Sequence, residues 1–108
     1  MKIFLTILSL FLSAIVFAQN GEVVKGNRYF KDGNYDKAEE SYLKAINKKP
    51  NTIAQFNLGN TLYKKEKTED AIKSFDEASA NATEPEMKAK ALYNKGVLYH
   101  KDNKLNDA

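Results

Sequence analysis

The chain has 108 residues, 43% hydrophobic and 29% charged, a length that suits one domain or a short run of repeats rather than two independent cores. Seventeen lysines and arginines against 14 acids give a net charge of only +3, too mild and too dispersed for the basic stripe that nucleic-acid binding requires. With no cysteine and one histidine, disulfides, thiol redox chemistry, thiolate metal sites and multi-histidine metal sites are all excluded.

The first element is a leader. Met1 and Lys2 form a short positive end, and Ile3 to Phe17 is an apolar run interrupted only by Thr6, Ser9 and Ser13. Val16-Phe17-Ala18 then offers small or β-branched residues at the two positions that a signal peptidase inspects. A charged start, an apolar run and a small-residue exit describe a secretory signal peptide. About 15 apolar residues fall short of the roughly 20 that span a bilayer, so an uncleaved membrane anchor is the secondary reading. The expectation is a signal-peptide helix over 1–18, cleavage after Ala18 and export, most simply to the periplasm. The mature chain would carry +2, because only Lys2 is lost from the charge count.

The remainder reads as helices. Alanine, lysine, glutamate and leucine dominate, no segment alternates as a strand would, and Pro50 and Pro85 fall between periodic stretches. Internal repetition is the stronger signal. At an offset of 33, Gly26-Asn27 aligns with Gly59-Asn60, Ala38 with Ala71, Tyr42 with Phe75 and Ala45 with Ala78. At an offset of 37, Gly96 follows Gly59 and Ala108 follows Ala71, with the four extra residues expected in a loop around Asn81 to Glu86. Glycine in mid-helix costs about 1 kcal/mol against alanine, so three such glycines imply close approach of a neighbouring helix. Ala38, Ala71 and Ala108 are the expected small partners of these glycines, with Tyr42 and Phe75 filling the space beside them. Lys31-Asp32-Gly33-Asn34-Tyr35 and Lys101-Asp102-Asn103-Lys104-Leu105 occupy one slot and predict equivalent turns.

This pattern resembles the tetratricopeptide repeat, two short antiparallel helices per unit. The resemblance implies an all-α fold, a tetratricopeptide-type α-solenoid of antiparallel helix pairs preceded by the signal-peptide helix. The units are 1–18 signal peptide, 19–51 first repeat, 52–88 second repeat with a longer connecting loop, and 89–108 an incomplete third repeat holding only its first helix. Departures from the repeat pattern are Glu22 and Lys25, where large apolar residues are usual, and Thr83 in the slot of Pro50. A third unit that stops at Ala108 is expected to belong to a longer protein, or to be completed by another chain.

Family geometry puts the first helix of each unit on a concave binding surface. The inward-facing residues would then be Val23, Asn27, Phe30 and Lys31, followed by Phe56, Asn57, Asn60, Tyr63 and Lys64 in the second unit. The third unit would add Lys90, Tyr93, Asn94, Val97, His100 and Lys101. Of these, Asn27, Phe30, Phe56, Asn57, Asn60, Tyr63, Lys64, Lys90, Tyr93, Asn94 and Lys101 are the candidate partner-binding residues. Asparagine amides can both donate to and accept from an extended peptide, and lysines favour an acidic partner. Asp36, Glu39, Glu40, Glu69, Asp70, Asp76 and Glu77 fall on the second helices, which gives the two surfaces different signs. In carboxylate-clamp members of the family, asparagines and basic residues hold a peptide C-terminus. Asn27, Asn57 and Lys90 match that clamp, but Val23 and Asn94 stand where it has Lys and Arg, so the full clamp is absent. A purely structural role for the asparagines is the competing reading. His100 reads as a groove-edge surface residue, and Asn81-Ala82-Thr83 as a chance glycosylation tripeptide.

The function expected is therefore protein binding. No catalytic constellation is present, the carboxylates read as solvated helix faces, and neither a cofactor, a metal nor a small-molecule substrate is expected. The alternative is a structural assembly subunit that associates through the open face of the third repeat, its groove incidental. Lys25 to Glu39, Gln55 to Lys64 and the leader ending Phe17-Ala18-Gln19 also resemble the exported repeat proteins of the Bat aerotolerance operon. That resemblance implies a cell-envelope adaptor, linked to oxidative-stress tolerance, beside membrane-bound partners with von Willebrand A-type domains.

Overall fold

The computed structural model describes the backbone of residues 21–107 and the side chains of 21–103, so the leader expected over 1–18 and Ala108 lie outside the described residues. Five helices and no strand occur among the described residues: α1 over 21–31, α2 Tyr35–Lys48, α3 Thr52–Lys64, α4 Thr68–Asn81 and α5 Pro85–Asp107. From α2 onward each helix packs on the next in sequence, and α1 meets α2 through Gly26 and Tyr42. The fold is an all-α solenoid of tetratricopeptide type.

Local chemistry sets the helix ends. Asn34 caps α2 by accepting from the Lys37 N–H at 3.3 Å, and Asn51 caps α3 by accepting from the Ala54 N–H at 3.0 Å. The turn from α1 to α2 is a paired closure. The Asn34 N–H donates to the Tyr29 carbonyl, the Gly33 N–H donates to the Phe30 carbonyl, and Gly33 stands at φ 78°. The turn from α3 to α4 repeats these bonds 33 residues later, Lys67 to Leu62 and Glu66 to Tyr63. There Glu66 takes the left-handed conformation at φ 61° without being glycine.

Two expectations about the third unit are corrected. Lys101 to Leu105 do not form a turn, because α5 runs on through Asp107. In the first two units a following helix is packed in place beyond the left-handed residue. Asn103 stands in the slot where Gly33 takes the left-handed conformation, and for this non-glycine residue the right-handed helical conformation is the cheaper one. The four extra residues do not swell a loop either. Residues 49–51 and 82–84 are connections of equal length, and the insertion lengthens the start of α5 instead. Pro85 suits the first turn of a helix, where its missing N–H costs nothing. Four residues are close to one helical turn, so the α5 faces keep nearly the register of α3.

The core runs between the helices and holds Ala38, Tyr42, Ala45, Ala54, Leu58, Leu62, Ala71, Phe75 and Leu98. Val23, expected on the concave surface, is buried in this core as well. The glycine contacts also differ from expectation. A Cβ on Gly26 would lie 2.5 Å from Cε1 of Tyr42, and one on Gly59 2.6 Å from Cε1 of Phe75. The aromatic rings therefore close onto the glycines, and Ala38 and Ala71 are the buried small residues one turn earlier on the same helices. Phe56 supports the second ring edge-to-face, with centroids 5.5 Å apart.

Candidate functional site

The first helices of adjacent units are linked by asparagines. The Asn57 amide donates to Asn27 Oδ1 at 3.1 Å, and the Asn94 amide donates to Asn60 Oδ1 at 3.4 Å. Asn60 is the repeat equivalent of Asn27, and Asn94 that of Asn57, so this is one contact made twice. In the first link the Tyr42 hydroxyl also donates to Asn27 Oδ1, at 2.6 Å. Burial disfavours the phenolate and pushes the Tyr42 hydroxyl up to about 12. Phe75 has no hydroxyl to offer, so the second link lacks this third member. The asparagines thus have a structural role in addition to any contact with a ligand.

Two cavities of about 210 Å³ open along these links. The first is lined by Asn27, Phe30, Tyr42, Asn57 and Asn60. The second is lined by Asn60, Tyr63, Phe75, Tyr93, Asn94, Val97, Leu98 and Lys101, and Asn60 borders both. Lys101 Nζ donates to the Tyr63 hydroxyl at 2.9 Å and lies 5.1 Å from the centre of its ring. That hydrogen bond and the lysine charge hold the Tyr63 hydroxyl below the usual tyrosine range. Tyr93 is the most open apolar side chain here, 72% exposed.

The cavities bring together Asn27, Phe30, Asn57, Asn60, Tyr63, Tyr93, Asn94 and Lys101 from the residues expected to bind a partner. They do not include Phe56, Lys64 or Lys90. Phe56 is half-buried against Phe75, and Lys90 pairs with Glu86 one turn back on α5 at 3.2 Å. Lys64 and His100 are exposed outside the cavity linings. Among the described residues no acid lines either cavity, so the concave side presents amides, aromatics and a lysine.

Seven acids sit on α2 and α4, and several of these are paired between units. Lys65 reaches Asp36 at 2.7 Å and Glu39 at 2.5 Å, and Lys95 reaches Asp76 at 2.6 Å. These hydrogen bonds lower the Asp36 carboxyl below the usual aspartate range and hold Lys65 and Lys95 above the usual lysine range. Sequence reasoning missed these pairs, since nothing in the spacing brings Lys65 back onto α2. It also missed a cavity of about 340 Å³ between the two connections, lined by Lys48, Pro50, Ile53, Thr83 and Met87 among others. Asn81, the first residue of the glycosylation tripeptide, donates its side-chain amide to Gln55 at 3.1 Å. Among the described residues there is no metal-ligand cluster, and no helix is long and apolar enough to cross a membrane.

The glycine slots, the repeated turns and the asparagine links all recur with the unit. The sequence model of the tetratricopeptide repeat family matches residues 23–85 and again 56–108, two ranges that begin one 33-residue unit apart. The chain belongs to the tetratricopeptide repeat family. Members are typically protein-binding modules without enzymatic activity. A repeat-containing protein of Methanocaldococcus jannaschii is 47% identical over 57 residues, which cover 52% of this chain and 10% of that relative. The match thus spans about a tenth of the relative's length.

Proposed function

We propose that this chain is an exported tetratricopeptide adaptor that holds a partner's peptide or helix in its concave groove. One observation carries this reading: Asn57, Asn60, Tyr63, Tyr93, Asn94 and Lys101 converge from two units on adjoining cavities with no acid among the lining residues. Tyr93 offers an open aromatic surface, the amides offer both donors and acceptors, and Lys101 adds a positive charge. An extended or acidic peptide segment fits that chemistry best. The leader over 1–18 supports export and release after Ala18, with retention as a membrane anchor the alternative. The resemblance to the aerotolerance-operon proteins supports a cell-envelope complex linked to stress tolerance, with membrane-bound von Willebrand A-type partners.

Capture from envelope extract tests the groove. The chain and a Tyr93→Ala/Lys101→Ala variant would be compared at low and high salt. Both residues are exposed, so the unfolding midpoint should change little. Partner capture should fall at least about tenfold in the variant, because a charge-assisted hydrogen bond alone is worth roughly 1.5–3 kcal/mol. It should also weaken with salt for the wild type. Equal, salt-independent capture by both would remove the groove from the function. Export is read separately, by an intact mass that begins at Gln19 in the periplasmic fraction.

A further inference from the structure

The cavity of about 340 Å³ between the connections 49–51 and 82–84 shares no lining residue with the two cavities of the groove. Every residue of its walls lies between Ala45 and Met87, so it is complete within the first two units and the first turn of α5. It is also a product of the four-residue insertion. Helix α3 begins seven residues before Gly59 and α5 eleven residues before Gly96, so Pro85 to Lys88 form a turn that the second unit lacks. Met87 of that added turn lines the cavity. Ile53 on α3 lines it too, 54% exposed, in the slot that Lys90 occupies in the third unit. Insertions into a repeat array often lie on a binding face.

We propose that this cavity docks an extended acidic segment of a partner protein, with one aliphatic side chain between Ile53 and Met87 and a carboxylate on Lys48 and Lys49. Pro50, Ile53 and Met87 supply the apolar surface, and the flexible thioether of Met87 adapts to the side chain it receives. The charge of the occupant follows from the lysines. Lys48 and Lys49 line the cavity, are exposed, and enter no ion pair among the described residues, whereas Lys44, Lys65, Lys90 and Lys95 are all paired. Glu84 is the one acid on the lining, and it belongs to the second connection while the lysines adjoin the first. It repels a carboxylate from its own side and suits the backbone N–H groups of an extended chain, which gives the occupant a direction. The cavity is half open and stands at the small end of the range of about 300–1,000 Å³ for ligand pockets, room for a side chain rather than a cofactor. This surface is separate from the groove, and either can bind without the other.

The probe is the blocked peptide Asp-Glu-Leu-Glu-Asp, titrated into the isotopically labelled chain and followed by amide chemical shifts. One aliphatic side chain and one ion pair give an affinity on the order of millimolar, weakening with salt. Shifts should saturate and concentrate at residues 48–53 and 82–87. Serine in place of the peptide's leucine, or Lys48→Gln with Lys49→Gln in the chain, should weaken binding at least about tenfold. Ile53→Ser should do the same. All three positions are exposed, so the unfolding midpoint should change little. Tyr93→Ala/Lys101→Ala should leave this binding unchanged, which separates a failure here from a failure of the groove. Shifts centred on Asn57, Asn60 and Lys101, or no shift at millimolar peptide, would overturn the proposal. So would equal binding of a peptide with lysines in place of its acids. Free leucine bound as tightly as the peptide would overturn it in favour of a small-molecule site. Concentration-dependent dimerisation in sedimentation, lost in Ile53→Ser, would overturn it in favour of a second copy.

Discussion

Replacing each repeat glycine by alanine tests the packing that defines the unit. Alanine in a helix interior is favoured over glycine by up to about 1 kcal/mol, a gain common to Gly59→Ala and Gly96→Ala. The steric consequences are opposite. At position 59 the new Cβ would stand 2.6 Å from Phe75 Cε1 and 2.8 Å from Cδ1 and Cζ. That ring is buried and braced by Phe56, so it has no easy retreat, and overpacking of this kind costs about 1–3 kcal/mol. At position 96 there is open space. Gly96→Ala should therefore stabilise by up to about 1 kcal/mol. The difference between the two variants isolates the clash, about 1–3 kcal/mol. Urea titrations with matched slopes would measure it, and thermal midpoints should separate by roughly 4–8 °C for each kcal/mol. Gly26→Ala should follow Gly59→Ala and also strain the Tyr42 bond to Asn27. If Gly59→Ala proved as stabilising as Gly96→Ala, the ring-on-glycine contact would be wrong.

Ala71→Leu should cost about 1–3 kcal/mol, seen as a lower unfolding midpoint, because Ala71 is completely buried in the core. Tyr42 has its folded pKa raised to about 12, so it favours the fold fully below the unfolded value near 10, and that contribution is lost as pH rises from about 10 to about 12. Tyr42→Phe should remove that share of the alkaline loss, and in the wild type one tyrosine should ionise late in ultraviolet titration. Asp36 shifts the other way. Its lowered pKa gives stability that is present above its ordinary value near 4 and lost as pH falls below it. Lys65→Met should lower the midpoint at neutral pH and make the acid branch of the stability curve shallower.

The unit itself was legible in the sequence because steric demands write it directly. Only glycine admits a ring at 26 and 59, and only small residues fit at 38, 45, 71 and 78. The same reasoning misjudged Val23, since a concave-facing slot and a core slot lie less than one helical turn apart. It also placed a turn at Lys101 to Leu105, where α5 runs on and Asn103, lacking the freedom of Gly33, stays helical. Glu66 shows the converse, because tertiary packing holds a left-handed residue there without a glycine to announce it. At the site, the asparagines were legible as groove residues, but their bonds to one another were not. Those bonds and the Lys65 pairs depend on how successive units are rotated, which spacing along a single helix does not encode.

Site-specific photo-crosslinking in cells tests the central claim, that the concave side holds a protein partner, most directly. A crosslinking residue would replace Tyr93, 72% exposed beside the groove, or as a control Lys73, exposed on α4. The account predicts one discrete crosslinked partner from position 93, none from position 73, and a lower yield when Lys101→Ala is added. The same partner captured from position 73, or no crosslink at position 93, would contradict it.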